Sequence, residues 1–153
     1  VHTMGEVNQA LSRGEYFWTE IIRDGVTLYE LPGFPFASPK PLTPGDASEM
    51  AKAYFNEWAP KITESLAGSE FFRCRANKND AAYNLHQAVE RAYICVMLVL
   101  KLHAPRSHNI KFLRSVSEAA DQRLVAAWPR ESKLDRRRFE LLKRAYVEAR
   151  YVA

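Results

Sequence analysis

One segment, residues 79–103 (NDAAYNLHQAVERAYICVMLVLKLH), limits the fold more than any other part of the chain. At about 100° per residue, a helix would place its apolar residues on one side and its polar residues on the other. The apolar side is formed by Leu85, Ala88, Val89, Ala92, Val96 and Val99, and the polar side by Tyr83, His86, Gln87, Glu90 and Arg91. Residues 92–100 are apolar all round, which is typical of a segment enclosed by other helices or by a second copy of the chain. The pattern predicts the core helix of a bundle, and the run is shorter than the about 20 residues that a membrane crossing needs.

Other helical patterns surround this central helix in the sequence. They cover residues 6–24, with a break at 12–14, and then residues 46–59, 61–75, 108–120 and 132–151. Asp46 or Ser48, Ser107 and Ser132 are suited to cap the helices that follow them, and Pro60 predicts an interruption. Because consecutive helices joined by short connections pack as antiparallel neighbours, we predict an all-α, up-and-down antiparallel helical bundle.

Residues 26–30 (VTLYE) have the β-branched and aromatic composition of a strand. A single strand is not stable alone, so this one must pair with upstream chain or with a second copy, or else not be a strand. Residues 31–45 follow with five prolines and two glycines, a composition typical of a linker. We therefore predict a helix-strand segment from a preceding domain at 1–31, a Pro-rich linker at 32–45 and a helical domain at 46–153.

The net charge of +4 is concentrated near the end of the chain. Residues 130–150 contain eight Lys or Arg and four Asp or Glu, an excess of four positive charges. A basic helix of this kind can attract phosphates or an acidic partner. Pairs such as Glu140 with Arg144 and Arg144 with Glu148 favour instead a solvated face whose charges neutralise each other. Both interpretations stay open at this point.

The cysteines and the first residues bear on the compartment. Cys74 and Cys95 are 21 residues apart in helical, partly apolar segments, which favours reduced thiols over a disulfide or a zinc site. The first residues, VHTMGEVNQAL, have neither the basic nor the apolar region of a signal peptide. We therefore expect a cytoplasmic protein, and we expect a piece of a longer chain because position 1 is not Met.

Glu90 is the residue of the central helix that most needs an explanation. A carboxylate buried without a partner costs several kcal/mol, more than the about 1.5–3 kcal/mol that burial of one Leu returns. Two interpretations follow: an ion pair with Arg91 or with a residue of the last helix, or a polar cleft between the central and last helices that holds a ligand. His86 and His108 invite a metal site with Glu90, but four-ligand sites need more partners. The sequence contains no GxSxG, glycine-rich phosphate loop or HExxH motif, so the residues alone predict no enzyme.

Three motifs within residues 54–151 resemble the HEPN domain family. They are Gln-Ala-x-Glu-x-Ala in the long helix (Gln87, Ala88, Glu90, Ala92), the Pro-x-Ser-His-Asn turn (Pro105, Ser107, His108, Asn109) and the Ala-Tyr-x-x-Ala-Arg-Tyr ending (Ala145, Tyr146, Ala149, Arg150, Tyr151). The resemblance implies a small helical bundle, usually dimeric, that is often encoded with or fused to a minimal nucleotidyltransferase. Residues 6–30 are similar to the closing segment of that nucleotidyltransferase, so residues 26–30 would be the last strand of its α/β sheet.

The chain also departs from the family. HEPN ribonucleases carry an Arg followed, after four to six residues, by a His, and no His of this chain follows an Arg at that spacing. The chain also lacks the paired aspartates that hold magnesium in the nucleotidyltransferase. The resemblance therefore implies no cofactor in this chain, with Mg²⁺ only in the nucleotidyltransferase part, and no enzymatic activity of the chain on its own.

The favoured hypothesis is a HEPN-type accessory domain that binds a nucleotide or RNA, forms a homodimer and works with an upstream or partner nucleotidyltransferase domain. We expect no membrane partner. The predicted ligand-binding residues are His86, Glu90, Arg91, His108, Tyr146, Arg150 and Tyr151. The alternative is a dimerisation or regulatory module without a ligand, in which the apolar surface of residues 94–100 builds the dimer. A degenerate HEPN ribonuclease ranks third.

Overall fold

The computed structural model describes the backbone of residues 2–151 and the side chains of residues 2–148. Within that range every regular element is a helix, and no strand occurs. The helices are α1 (Met4–Ser12), α2 (Tyr16–Asp24), α3 (Pro44–Cys74), α4 (Lys78–Lys101), α5 (Ile110–Ala120), a 3₁₀ helix (Gln122–Ala127) and α6 (Lys133–Tyr151). The prediction of an all-α fold is confirmed for these residues, none of whose helices is long and apolar enough to span a bilayer.

The chain forms two compact units, Val1–Met50 and Ala51–Ala153. In the first unit α1 packs against α2. The Asn8 side chain donates to the carbonyl of Pro35 (3.1 Å) and accepts from the N–H of Ala37 (2.8 Å), which ties the Pro-rich segment to α1. The assignment of the first residues to a nucleotidyltransferase domain, and of the Pro-rich segment to a linker, stays a prediction.

The predicted strand at residues 26–30 is wrong. This segment has no regular secondary structure, and Val26, Leu28 and Tyr29 are 84%, 96% and 75% exposed. A strand needs a neighbour that accepts and donates its backbone hydrogen bonds, and residues 2–151 provide none. Strand propensity reports only that a side chain suits a pleated, half-buried surface, so it could not predict the outcome here.

The predicted interruption at Pro60 is also wrong, because α3 continues through this residue. Proline removes one backbone hydrogen bond of the helix, from position 60 to the carbonyl of Asn56. Both residues are exposed, so water can satisfy that carbonyl. The helix begins earlier than predicted because Thr43, and not Asp46 or Ser48, caps it. The Thr43 Oγ1 atom accepts from the N–H of Asp46 (3.1 Å), while the Asp46 carboxylate accepts from the N–H of Thr43 (3.2 Å).

In the second unit, α3 and α4 pack in opposite directions through small and polar side chains. The hydroxyl of Ser69 donates to the carbonyl of Ala81, near the start of α4, over 2.9 Å. Further along α4, Arg91 donates to the hydroxyl of Ser65, earlier on α3, over 2.6 Å. Higher numbers on α4 thus face lower numbers on α3, which makes the pair antiparallel.

α6 packs on another side of α4, also antiparallel to it. The rings of Tyr83 and Tyr146 stack with centroids 6.3 Å apart, and one turn further along α4 the ring of His86 bonds to the carbonyl of Leu142. The main apolar cluster consists of Ile110, Phe139 and Leu142, with Val89 and Trp128 packed against it. The helices of this unit therefore form a bundle with α4 at its centre, in contact with α5 as well as α6.

The side of α4 that faces the core differs from the predicted one. His86 and Glu90, both expected on the polar side, are 1% and 5% exposed, whereas Leu85 of the predicted apolar side is 37% exposed. Residues 92–100 are not fully enclosed by the described chain either, because Leu100 is 45% exposed. A hydrophobic pattern ranks single residues by their polarity, so it cannot anticipate that a buried carboxylate has histidine partners.

The loop after α4 begins two residues earlier than predicted. α4 ends at Lys101, whereas we predicted its end at His103. The reason is Leu102, which has left-handed backbone torsions (φ 58°) and so turns the chain away from the helix axis.

The loop also ends later than predicted, and this decides where His108 lies. α5 begins at Ile110, and its cap is Asn109, whose Oδ1 atom accepts from the N–H groups of Lys111 (3.1 Å) and Phe112 (3.2 Å). Ser107, the predicted cap, accepts instead from the N–H of Asn109 (3.1 Å). His108 therefore lies in the loop, immediately before α5, and not in the first helical turn.

Leu141 and Leu142 are adjacent in α6, but they are 51% and 6% exposed. We expect Leu142→Ala to lower the free energy of unfolding by about 2–5 kcal/mol, because it removes buried methyl groups and leaves a cavity. Leu141→Ala is the matched control, and we expect it to change that free energy by less than about 0.5 kcal/mol. Urea denaturation followed by circular dichroism measures both variants. Equal losses would contradict the packing of α6 described above.

Candidate functional site

Glu90 is a buried carboxylate of α4 that lies between two histidines. Its Oε1 atom accepts a hydrogen bond from Nδ1 of His108, 3.0 Å away in the loop before α5. Its Oε2 atom lies 3.6 Å from Nε2 of His86, one turn earlier on α4. Neither Oε2 of Glu90 nor Nε2 of His86 has a hydrogen-bond partner among the described residues, so these two atoms face each other as a charge pair. Both partners predicted for Glu90, Arg91 and a residue of the last helix, are thereby replaced by histidines.

The surroundings of His86 fix its protonation state. Its Nδ1 atom lies 3.0 Å from the carbonyl oxygen of Leu142. A carbonyl oxygen can only accept, so Nδ1 carries a hydrogen and donates it. The other ring nitrogen faces the Glu90 carboxylate, which also only accepts when it is ionised. Because both nitrogens face acceptors, the imidazolium form of His86 suits this site.

The pKa shifts of the two groups agree with a charged pair. Burial alone would lower the pKa of His86, but the Glu90 carboxylate and the Leu142 carbonyl outweigh burial and raise that pKa above its ordinary value. Burial alone would raise the pKa of Glu90, but the two histidines outweigh it and lower that pKa. Each group therefore favours the charged form of the other.

His108 is held on two sides while its ring stays accessible. Glu90 fixes its Nδ1 atom, and the Tyr146 ring stacks against its face at 5.4 Å between centroids and 12° between planes. Tyr146 also lies 5.2 Å from the ring of His86. The His108 side chain is nevertheless 69% exposed. Since a carboxylate accepts at Nδ1, the Nε2 atom of His108 is the ring nitrogen that remains for a ligand.

Two grooves have His108 in their walls. The first has a volume of about 510 Å³, and we call it the α6 groove; its walls include His108, Lys143, Arg144, Tyr146 and Glu148. The second has a volume of about 450 Å³, and we call it the Trp58 pocket; its walls include Trp58, Glu90, Ile94, Leu98, Pro105 and Arg106, together with His108. His108 thus belongs to the walls of both grooves.

The charges around the α6 groove are mostly paired. Lys143 forms an ion pair with Glu140, and Arg144 forms one with Glu148. Exposed pairs of this kind contribute only about 0.2–1 kcal/mol, so a ligand phosphate can replace the carboxylate at small cost. Three cations of the basic segment, Arg138, Lys143 and Arg144, thus pair with carboxylates three or four residues away, and two of these three border the groove.

The structure brings together four of the predicted ligand-binding residues, His86, Glu90, His108 and Tyr146. Arg91 was predicted with them, but the described contacts of its side chain lie elsewhere. Its guanidinium donates to the Lys61 carbonyl (3.0 Å) and to the Ser65 hydroxyl (2.6 Å), so it fastens α3 to α4. The side chains of Arg150 and Tyr151 lie outside the described residues.

Several residues that line the grooves were not predicted from the sequence. Trp58 and Arg106 were not selected, because no motif connects a tryptophan of α3 with a loop almost fifty positions later in the chain. Lys143 and Arg144 were visible only as part of the basic segment at 130–150. Among residues 2–148, no group of three His, Cys, Asp or Glu side chains is arranged to hold a metal ion.

Comparison with known proteins identifies no family for this chain. No protein-family model matches the chain, and no curated protein is significantly similar to it.

Glu90→Ala tests the charge pair. We expect it to lower the free energy of unfolding by about 3–5 kcal/mol, because it leaves His86 buried without its counter-charge. Glu148→Ala is the matched control: this glutamate pairs with Arg144 at the surface, so its loss should cost less than about 1 kcal/mol. Chemical denaturation at neutral pH measures both. A small loss for both variants would mean that the buried pair contributes little to stability.

The same pair predicts a pH dependence. The His86 contribution, from a raised pKa, is complete below the ordinary histidine pKa and is lost as the pH rises through the folded pKa. The Glu90 contribution, from a lowered pKa, is complete above the ordinary glutamate pKa and is lost as the pH falls through the folded pKa. We therefore expect the difference in unfolding free energy between the wild type and Glu90→Gln to be largest between about pH 4.3 and about pH 6.5. A difference that continues to grow towards alkaline pH would contradict a charged His86.

Proposed function

We propose that the protein binds a nucleotide or a single-stranded RNA segment through a phosphate group that lies in the α6 groove against His108. The observation that carries the proposal is the exposed imidazole of His108, which is fixed at one nitrogen by a buried carboxylate and on one face by Tyr146. A ring held in this way presents its second nitrogen in a constant direction. Such a ring loses little side-chain entropy when it binds a ligand.

The energetics favour a binding role over a purely structural one. Burying an ion pair is often no better for stability than burying apolar residues of similar volume. Here the pair also positions His108, whose side chain is mostly outside the core. The Glu90 carboxylate therefore has an effect at the surface that an apolar residue could not have.

The chemistry of the groove fits a phosphate. A protonated His108 can donate to a phosphate oxygen, and Lys143 and Arg144 can exchange their neighbouring carboxylates for it. Hydrogen bonds between charged groups are shorter and about twice as strong as neutral ones. Glu148, also in the wall, disfavours an anion until Arg144 turns from it, so we expect moderate affinity and strong dependence on salt.

The resemblance to HEPN domains supports the same proposal at a finer level. On this proposal, residues 46–153 are a HEPN-type, up-and-down antiparallel accessory domain, and the antiparallel pairs α3–α4 and α4–α6 support it. The chain would work with a nucleotidyltransferase domain, which would hold the Mg²⁺. The role of a degenerate ribonuclease ranks last, since the Arg-to-His spacing of such enzymes does not occur in the sequence.

A second candidate is a dimerisation module without a ligand. The observation that favours it is the exposure of apolar residues where α4 ends and α5 begins: Leu100 is 45% exposed and Phe112 43% exposed. A second copy could cover these side chains. A dimer in light scattering, together with no ligand binding, would favour this candidate over the first.

Calorimetric titration of the whole chain with inorganic phosphate, AMP and a short single-stranded RNA tests the first proposal. We expect binding that weakens with salt, and Lys143→Ala should weaken it about tenfold, the loss typical of one hydrogen bond to a charged group. Lys52→Ala, an exposed position of α3, is the matched control and should leave the affinity unchanged. Equal effects of the two variants, or no binding of any of the three probes, would reject the phosphate site.

A further inference from the structure

We propose that the Trp58 pocket receives the base of the same nucleotide, and that Glu90 selects a base with an exocyclic amino group. The inference rests on the proposed function for the position of the phosphate, but the pocket itself can be tested without one. The ligand class is a nucleotide whose base carries an amino group, such as adenine.

The walls of the pocket suit a flat aromatic group. Trp58 of α3, Ile94 and Leu98 of α4, and Pro105 of the loop are half-buried and form an apolar enclosure. The ammonium of Lys61 lies 4.8 Å from the centre of the Trp58 ring, so a base would contact the part of the indole that Lys61 does not cover. The volume of about 450 Å³ lies within the range of pockets that hold small ligands.

Glu90 gives this apolar pocket one polar group. The residue is 5% exposed and belongs to the pocket wall. Its Oε1 atom accepts from His108 and its Oε2 atom faces His86, but an ionised carboxylate has about four acceptor positions, so two remain for a ligand. A purely apolar ligand would leave the carboxylate as it is, whereas a ligand N–H would add a charge-assisted hydrogen bond.

The surrounding charges favour a neutral donor over a cation. The imidazolium of His86 already balances the Glu90 carboxylate, and Arg106 adds a positive charge to the same wall. A cationic amine would therefore meet no excess negative charge. The amino group of a nucleobase is a neutral donor on an aromatic ring, so it fits both the apolar wall and the carboxylate.

The position of His108 joins the two ends of such a ligand. This residue belongs to the walls of both grooves. A base in the Trp58 pocket would thus place its sugar near the ring of His108 and its phosphate in the α6 groove. This arrangement requires an unpaired base, because the exocyclic amino group of a base pair is already engaged.

The experiment compares nucleosides that differ in one group. The whole chain is titrated calorimetrically with adenosine and with purine riboside, which lacks only the amino group. We expect adenosine to bind about tenfold more tightly, the effect typical of one hydrogen bond to a charged acceptor. Equal affinities would overturn the role of Glu90, and no binding of either nucleoside would overturn the pocket.

Protein variants then separate the base pocket from the phosphate site. Trp58→Leu should lower the affinity for adenosine and for AMP about tenfold, the effect typical of a lost base–aromatic contact. The affinity for inorganic phosphate should stay unchanged. Trp18→Leu, in the other compact unit, is the matched control and should change none of these affinities. Lys143→Ala should lower the affinity for AMP and for inorganic phosphate but not the affinity for adenosine.

The outcomes distinguish this inference from the proposed function. If adenosine binds with the amino preference while AMP binds no more tightly than adenosine, the base pocket stands and the phosphate site fails. If AMP binds as weakly as inorganic phosphate and does not respond to Trp58→Leu, the phosphate site stands and the base pocket fails. The comparison of adenosine with purine riboside uses the wild type only, so a variant that fails to fold does not remove the test.

Discussion

The burial of Glu90 between two histidines is the interaction on which the second compact unit depends. A carboxylate or an imidazolium alone in this place would cost several kcal/mol, and only their combination makes the position tolerable. The combination also joins three parts of the chain, because His86 bonds to the backbone of α6 and His108 belongs to the loop before α5. The electrostatic requirement of one side chain therefore sets the register between α4, α6 and the loop.

The same requirement explains why an exposed residue can be well oriented. Side chains in loops usually pay a large entropy cost when they bind a ligand. The ring of His108 has already lost much of this entropy on folding, since Glu90 and Tyr146 restrict it in the folded protein. The two grooves can therefore differ in character, one lined by paired charges and the other mostly apolar, while sharing one fixed imidazole.

Sequence reasoning reached the features that depend on local chemistry. The helical patterns and the cap at Ser132, whose hydroxyl accepts from the N–H of Asp135 (3.0 Å), depend on neighbouring residues alone. Glu90 could be selected because a charge on a buried helix is costly wherever the chain goes. His86 and His108 were grouped with Glu90 only as metal ligands, and not as its charge partners, because a histidine eighteen positions away is no more prominent in the sequence than Arg91 next to it.

The features that were predicted wrongly, or not at all, also share a physical cause. The strand at 26–30 depends on a neighbour that the sequence does not identify, and the continuity of α3 depends on whether water reaches one carbonyl. Trp58 and Arg106 line the same pocket although they belong to α3 and to the loop after α4. Each of these outcomes is decided by tertiary neighbours, and residue patterns over ten or fifteen positions do not contain them.

Pro60 gives α3 a mechanical property that matters beyond the helix itself. The missing hydrogen bond from position 60 to Asn56 spans the turn that carries Trp58, so this turn is the part of α3 whose backbone bends at the lowest energetic cost. The aromatic wall of the pocket is therefore attached to the turn of α3 that bends most easily. A ligand that widens the pocket would displace α3 at this turn at a lower energetic cost than at its other turns.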